Sequence, residues 1–460
     1  MSHGVSWTFG DMQIDRRASL RCCAVICAAL ASAPLAAQER TGRGSFELGG
    51  THRARYETLD PQFRAGFSNS DQALALQTTL TLDWQRDALR VFGEIMDSRT
   101  LANDSGSFAG GTTTNTLEPI QAYVAWTHRG GTFRAGRVTQ DFGKRRLFAR
   151  SRYRNTVSTF TGIDWSWSDE RGRAVRAFYW APSRILPADI PSVLDNERQL
   201  DRAARHSSIK GVFYQFPAFA NEHRLESYVF DYELDASADP AAAADHVSLG
   251  ARAYRSPRAG EWSYEVEAVR QRGESGGTVA GAARSDLAHR ASFLHLELGY
   301  QFDSRWAPLV LLQYDRATGD EDPTDARIER FHTLFGARRF DFGPTGIYGI
   351  AARSNIESPG IRVTFRPAPR WQAMLAYRAL QLTAPRDAWI GAGWRDAAGA
   401  AGDSIGRHLE GSFTWEAIPD RLSIETGFAR LTAGRFAEQA AGTAFRGDPQ
   451  YVYGGVMLEF

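Results

Sequence analysis

Lysine is nearly missing from this sequence. Lys144 and Lys210 are the only two, so arginine carries almost all of the positive charge. Cysteine is missing beyond residue 27, where Cys22, Cys23 and Cys27 form the whole set. A mature chain lacking them would have no disulfide and must be held by its own hydrogen bonding and burial. A charge excess is missing too: 54 basic residues face 53 acidic ones, for a formal net charge of +1. Phosphate neutralisation needs a basic surplus over a domain, so this balance argues against nucleic acid as a partner. Past the N-terminus no apolar run approaches the ~20 residues of a membrane-spanning helix. That excludes a helical membrane protein. It does not exclude a membrane barrel, whose strands alternate and look only half apolar.

Signatures of catalysis are also missing. There is no HExxH pair and no phosphate-cradling glycine loop. The ten histidines are scattered. His295 and Glu297 share one strand parity and read as a polar wall pair rather than an acid–base couple. The acidic run Asp320, Glu321, Asp322 and Asp325 lacks the spacing of a calcium loop and reads as a solvated turn. No enzymatic activity, cofactor or metal is expected.

What is present begins with an export signal. From Met12 the chain reads MQIDRRASLRCCAVICAALASAPLAAQER. Arg16, Arg17 and Arg21 form a basic head, residues 22–35 a short apolar core, and Ala36-Ala37 a small-residue site before Gln38. Residues 1–37 are therefore expected to be a signal region, with Met12 an alternative start, and 38–460 to form one barrel domain.

Beyond it the dominant period is two. Leu74, Leu76, Leu80, Leu82 and Trp84 alternate with small or polar residues, and Leu294, Leu296, Leu298 and Tyr300 do the same. Eighteen such segments can be drawn, at 44–58, 71–85, 88–100, 117–128, 132–139, 157–168, 171–181, 206–216, 223–235, 246–256, 261–272, 287–302, 306–318, 355–366, 370–383, 404–418, 421–432 and 450–460. Tight junctions such as Arg86-Asp87 and Pro419-Asp420 alternate strictly with long polar ones, among them 101–116, 140–156, 273–286 and 319–354. This predicts an all-β fold, an antiparallel transmembrane barrel of about 18 strands with short periplasmic turns and long external loops. Trp84, Trp262, Trp306, Tyr314, Trp371, Tyr377 and Trp415 punctuate the apolar parity, as interfacial girdles would. The chain ends on Phe460 in an alternating strand, like outer-membrane proteins. A soluble β-sandwich would not need alternating loop lengths or an apolar outer face.

Parity assigns the charges. An arginine on the lipid face near mid-bilayer costs about 2–4 kcal/mol, so arginines are expected inside. Arg53, Arg55, Arg90, Arg252, Arg362 and Arg366 fall on the lumenal side, together with Glu94, Glu265, Glu267, Glu297, Glu410 and Glu416. For most of these the expected role is a salt-bridge ladder along the wall. Arg137 falls on the lipid parity unless Gly136 makes a bulge or the strand has already left the membrane. Eighteen strands enclose more space than wall side chains fill, which implies a channel unless loops plug it.

The third long loop lies within GRVTQDFGKRRLFARSRYRN, Gly136 to Asn155. Arg137, Lys144, Arg145, Arg146, Arg150, Arg152 and Arg154 stand there against Asp141 alone. These cations either sit at the mouth, fold inward as an anion-selecting constriction, or contact lipopolysaccharide phosphates outside.

This stretch, with RARYE (Arg53–Glu57) before it and FTGIDW (Phe160–Trp165), YDRATGDEDPTD (Tyr314–Asp325), RFHTLFG (Arg330–Gly336), DFGPTGIYG (Asp341–Gly349) and RSN (Arg353–Asn355) after it, resembles the alginate-export family of outer-membrane proteins. Thr161 stands where the family pattern often has Asp, and Thr139 interrupts its GRQ piece. The resemblance implies an eighteen-stranded barrel in a Gram-negative outer membrane, with an arginine-rich pore. It implies Arg55, Arg137, Arg146, Arg152, Arg154, Arg353 and Arg362 as pore cations and Asp141 and Asp164 as acids that hold them. Arg53 by parity and Arg145 by its place in the basic stretch join the candidates. The expected cargo is an anionic polysaccharide or small anionic solutes, with outer-membrane lipid and lipopolysaccharide around the barrel and a periplasmic export partner. The alternatives are a non-selective porin and a loop-plugged structural or surface-binding barrel.

Overall fold

The computed structural model describes Gln38–Thr41 and residues 44–460, apart from 68, 69, 105, 205, 221, 236–238 and 280. The expected signal region, 1–37, lies outside the described residues. Eighteen long strands follow one another: β1 (Gly44–Asp60), β2 (Asp71–Arg86), β3 (Leu89–Leu101), β4 (Asn115–His128), β5 (Gly131–Val138), β6 (Phe160–Ser168), β7 (Ala174–Arg184), β8 (Ser208–Gln215) and β9 (Arg224–Leu234), then β10 (Ala244–Arg255), β11 (Glu261–Val279), β12 (Ala282–Gln301), β13 (Leu309–Ala317), β14 (Ile356–Ala368), β15 (Trp371–Gln381), β16 (Ser404–Ile418), β17 (Leu422–Ala433) and β18 (Gln450–Glu459). Each pairs antiparallel with the next, and β1 pairs with β18 from Thr51↔Glu459 to Asp60↔Gln450, which closes the cylinder. Closure leaves no free edge, as hydrocarbon requires.

The seam explains the terminal aromatic. Gly50 N–H donates to the Phe460 carbonyl at 2.7 Å, and Phe460 N–H returns a bond to Gly50 at 3.0 Å. A Cβ at Gly50 would lie 2.7 Å from the Phe460 ring, so a side chain there would push the last residue off the seam. Trp262, Trp306, Trp371 and Trp415 are exposed beside the short turns, and Leu249, Leu298, Leu312 and Ile163 are exposed on the outer wall between the ends. This is an apolar band with an aromatic margin.

Two expectations change. The junction at 273–286 is not a loop. β11 and β12 run on as a paired hairpin to Val279 and Ala282, with a register shift at Ser275/Gly277. Its Gly- and Ser-rich composition reads as a turn, yet cross-strand bonding holds it extended. Arg137 also needs no bulge, since β5 pairs with β4 and β6 without a register shift. The β4–β5 ladder instead stops at Ala122↔Arg137, and there the Arg137 guanidinium reaches Glu118 and donates to the Asp201 carbonyl at 3.4 Å. Arg137 is a fastening for the fourth external loop, 185–207.

The lumen is not empty. The third external loop, 139–159, and the seventh, 318–355, enter it and meet at a Phe148–Phe335 bridge. The third loop brings Phe142 and Phe148 onto an aromatic bed of Phe160, Phe178, Trp180 and Phe230 on β6–β9. On that arc of wall the inward parity is apolar, because it receives a loop rather than water.

Candidate functional site: a cationic cleft beneath a two-loop plug

The wall grips the third loop by its backbone. Arg53 donates to the carbonyls of Arg152 and Arg154, the latter at 2.9 Å. Arg55 donates to the Tyr153 carbonyl at 2.6 Å, stacks on the Tyr153 ring at 4.0 Å, and is neutralised by Glu57. Asn155 is buried and its amide bonds the carbonyls of Leu76, Arg99 and Thr113 at 2.8–3.1 Å. A loop held by charge-assisted bonds to its main chain keeps its path whatever its own side chains do.

Behind this grip lies an ionic core. Arg146 is 1% exposed and meets three carboxylates, Glu265 and Glu267 of β11 and Asp341 of a single helical turn, Arg339–Phe342, in the seventh loop. Burial pulls its guanidinium down, but Asp341, Glu267 and Glu265 more than reverse this, and it titrates well above ordinary arginine. Arg353, also fully buried, joins Asp341 at 2.5 Å. Arg378 takes Asp315 at 3.0 Å, and Asp315 in turn contacts His295 at 2.7 Å. His295, Asp315 and Asp341 converge as metal ligands might. Three guanidiniums already saturate the two carboxylates, so the trio reads as the centre of an ion-pair network.

On the short-turn side of this plug is a cleft of about 280 Å³. Five arginines line it, Arg53, Arg55, Arg145, Arg152 and Arg339, against one acid, Glu425. Arg152 has 72% of its side chain exposed and only a loose 3.8 Å contact to Asp141. Arg145 has no carboxylate within salt-bridge range among the described residues and lies 5.2 Å over the Phe340 ring. Arg339 is tied to Glu410, and to Glu425 at 3.4 Å. On the external side a cavity of about 520 Å³ is bordered by Arg154, Arg338 and Arg330. Arg154 and Arg338 have no carboxylate partner among the described residues. Burial, then Arg154 and Arg353, pushes Arg338 down to about 10, so it remains a cation at neutral pH.

The candidates thus separate. Arg53, Arg55, Arg145 and Arg152 come together at one cleft, and Arg154 faces the other. Arg146 and Arg353 are locked in the plug. Arg362 donates to the Phe340 carbonyl and supports the helical turn. Asp141 accepts from the Arg150 main chain at 2.6 Å. Asp164 holds Arg134 at 3.0 Å and Arg176 at 3.2 Å rather than any of the expected pore cations. Sequence reasoning missed Arg338 and Arg339. They lie between RFHTLFG and DFGPTGIYG, and that doubled arginine was the available signal.

Among curated proteins no sequence matches this chain. Solved structures share its fold: OpdK of Pseudomonas aeruginosa with vanillate (12% identity, 90% of this chain and 98% of that one, TM-score 0.58), OccK8 (OprE) of the same organism (11%, 90% and 98%, 0.59), and OccAB1 of Acinetobacter baumannii (12%, 90% and 96%, 0.58). At this identity they speak for the barrel alone. The alginate export family model matches residues 45–446, nearly the whole barrel with both plugging loops. A closed eighteen-strand wall and that match lead to one conclusion: this chain belongs to the alginate-export family and is an outer-membrane channel.

Proposed function

We propose that the channel is anion-selective and passes an anionic polysaccharide or small anionic solutes passively, in at the periplasmic cleft and out past Arg154 and Arg338. The observation that carries this reading is the surplus of unneutralised cations at the periplasmic cleft, where Arg145 has no carboxylate partner among the described residues and Arg152 only the 3.8 Å contact to Asp141. In a confined lumen such a surplus attracts carboxylates and repels cations. Arginine suits the task because its planar fork matches a carboxylate in two bonds. The vanillate bound in OpdK is itself a small carboxylate, which supports including small carboxylates among the candidate solutes. A periplasmic partner that delivers polymer belongs to the same reading. The chain carries solute and catalyses nothing.

The plug favours a second reading, a barrel that stays closed. One experiment separates them. Purified channel in a planar bilayer should conduct, and an oligomer of uronic acids added on the periplasmic side should block the current at lower concentration than a neutral glucan of equal length. Equal block by both polymers would point to a general porin, and no conductance at all to a plugged barrel.

A further inference from the structure

The outer face of the β11–β12 hairpin carries a cation cluster that the pore does not use. Along β11, Trp262, Val266, Ala268, Arg270 and Arg272 point outward and are exposed or half-buried, while Ser263, Glu265, Glu267, Val269 and Gln271 are buried toward the lumen. On β12 the same face carries Tyr300, Leu298, Leu296, Leu294, Ser292 and Arg290. The register sets Trp262 opposite Tyr300, Val266 opposite Leu296, Ala268 opposite Leu294, Arg270 opposite Ser292, and Arg272 opposite Arg290. Two arginines therefore stand directly across from one another with a third one step below. Like charges so placed destabilise a sheet. None of the three makes a side-chain hydrogen bond or ion pair among the described residues, whereas Arg99, Arg316 and Arg430 on other strands are paired with Asp97, Glu357 and Asp448.

Height identifies what this face meets. Trp262 marks the periplasmic girdle, and Arg272 is ten residues further along the strand. At about 3.4 Å per residue and a tilt of about 40°, that is a vertical rise of ~26 Å, against an apolar band of ~25 Å. The arginines stand where the outer leaflet's hydrocarbon gives way to its headgroups. One step further out, Glu233, Asp245 and Glu274 lie directly opposite each other on β9, β10 and β11. Asp231 at the arginine level is taken by Lys210 at 3.0 Å, and Asp286 by Arg284 at 2.8 Å. A polyanion arriving from water would have to cross the acidic row. A phosphate anchored in the leaflet lies beneath it.

We propose that Arg270, Arg272 and Arg290 form a binding site for the phosphorylated glycolipid of the outer leaflet, with the phosphate bridging Arg272 and Arg290 and the acyl chains lying on Leu294, Leu296 and Leu249. The site relieves the Arg272–Arg290 repulsion and is independent of the lumenal reading.

The full-length barrel in detergent tests it, with bisphosphorylated lipid A as probe, read by native mass spectrometry. The wild type should hold lipid A through delipidating washes, and R272Q/R290Q should bind it about tenfold more weakly. Chemically dephosphorylated lipid A should bind both proteins equally and weakly. Single-channel conductance of R272Q/R290Q should match wild type, which shows a folded barrel, and R270Q alone gives a milder variant with an intermediate loss. Equal retention of lipid A by wild type and R272Q/R290Q would overturn the site. Competition by millimolar inorganic phosphate as effective as by lipid A would overturn the lipid assignment.

Discussion

Arg146 and Arg152 lie six residues apart in one loop and share almost nothing. Arg146 is 1% exposed and bound to three carboxylates; Arg152 is 72% exposed with one loose contact. The loop is therefore two devices in series. Its first half, with Phe142, Arg146 and Phe148, fastens it to β6–β11 and to the seventh loop. Its second half hangs from Arg53, Arg55 and Asn155 by main-chain bonds, which leaves the Arg152 side chain free. A count of arginines treats these alike. Charge that has been neutralised builds the plug, and charge that has not is what a solute meets.

The largest break in this comparison should come from Arg146→Ala, which strands Glu265, Glu267 and Asp341 together. Removing one partner of a buried network costs about 3–5 kcal/mol. A fall in the thermal midpoint of the loop contacts and a wider, noisier single-channel conductance are expected. Next comes Phe148→Ala. It deletes a buried ring from the aromatic bed and should cost about 3 kcal/mol, visible as faster protease cleavage within 139–159 while β-sheet circular dichroism stays intact. By contrast Arg152→Ala should leave stability within about 0.5 kcal/mol and act only on the passage of anions.

A smaller effect lies at the loop that Arg137 fastens. Burial, then Glu118, pushes the Asp201 carboxyl up to about 6 from its usual 3.8. A carboxyl raised by folding favours the folded state when protonated. Its contribution is therefore most favourable below 3.8 and is lost as pH rises through about 6. The fourth loop should be cleaved more slowly near pH 5 than near pH 7.5, and Asp201→Asn should flatten that dependence.

The barrel was legible because strand alternation and loop alternation are local. Neighbouring residues decide them, and all eighteen strands lie where period two placed them. The β11–β12 extension was hidden by glycines that read as a turn until a partner strand is supplied. The wall ladder of Arg252 with Glu226 and Glu265 follows from strand parity, but which arginines the loops would lock was not legible, since Arg146 finds Glu265 and Asp341 more than a hundred residues away. The parity of β1 set Arg53 and Arg55 inside but could not show that a loop would hang from them. Arg338 and Arg339 escaped because their helical turn carries no strand period.

The central claim is that unneutralised cations on the periplasmic face of the plug set the sign of what passes. Reversal potential across a planar bilayer under a salt gradient measures this directly. Wild type should reverse on the anion side, R145A/R152A should move toward zero, and R146A/R353A should not mimic that shift. A wild-type channel with no preference, or a cleft variant as anion-selective as wild type, would contradict the account.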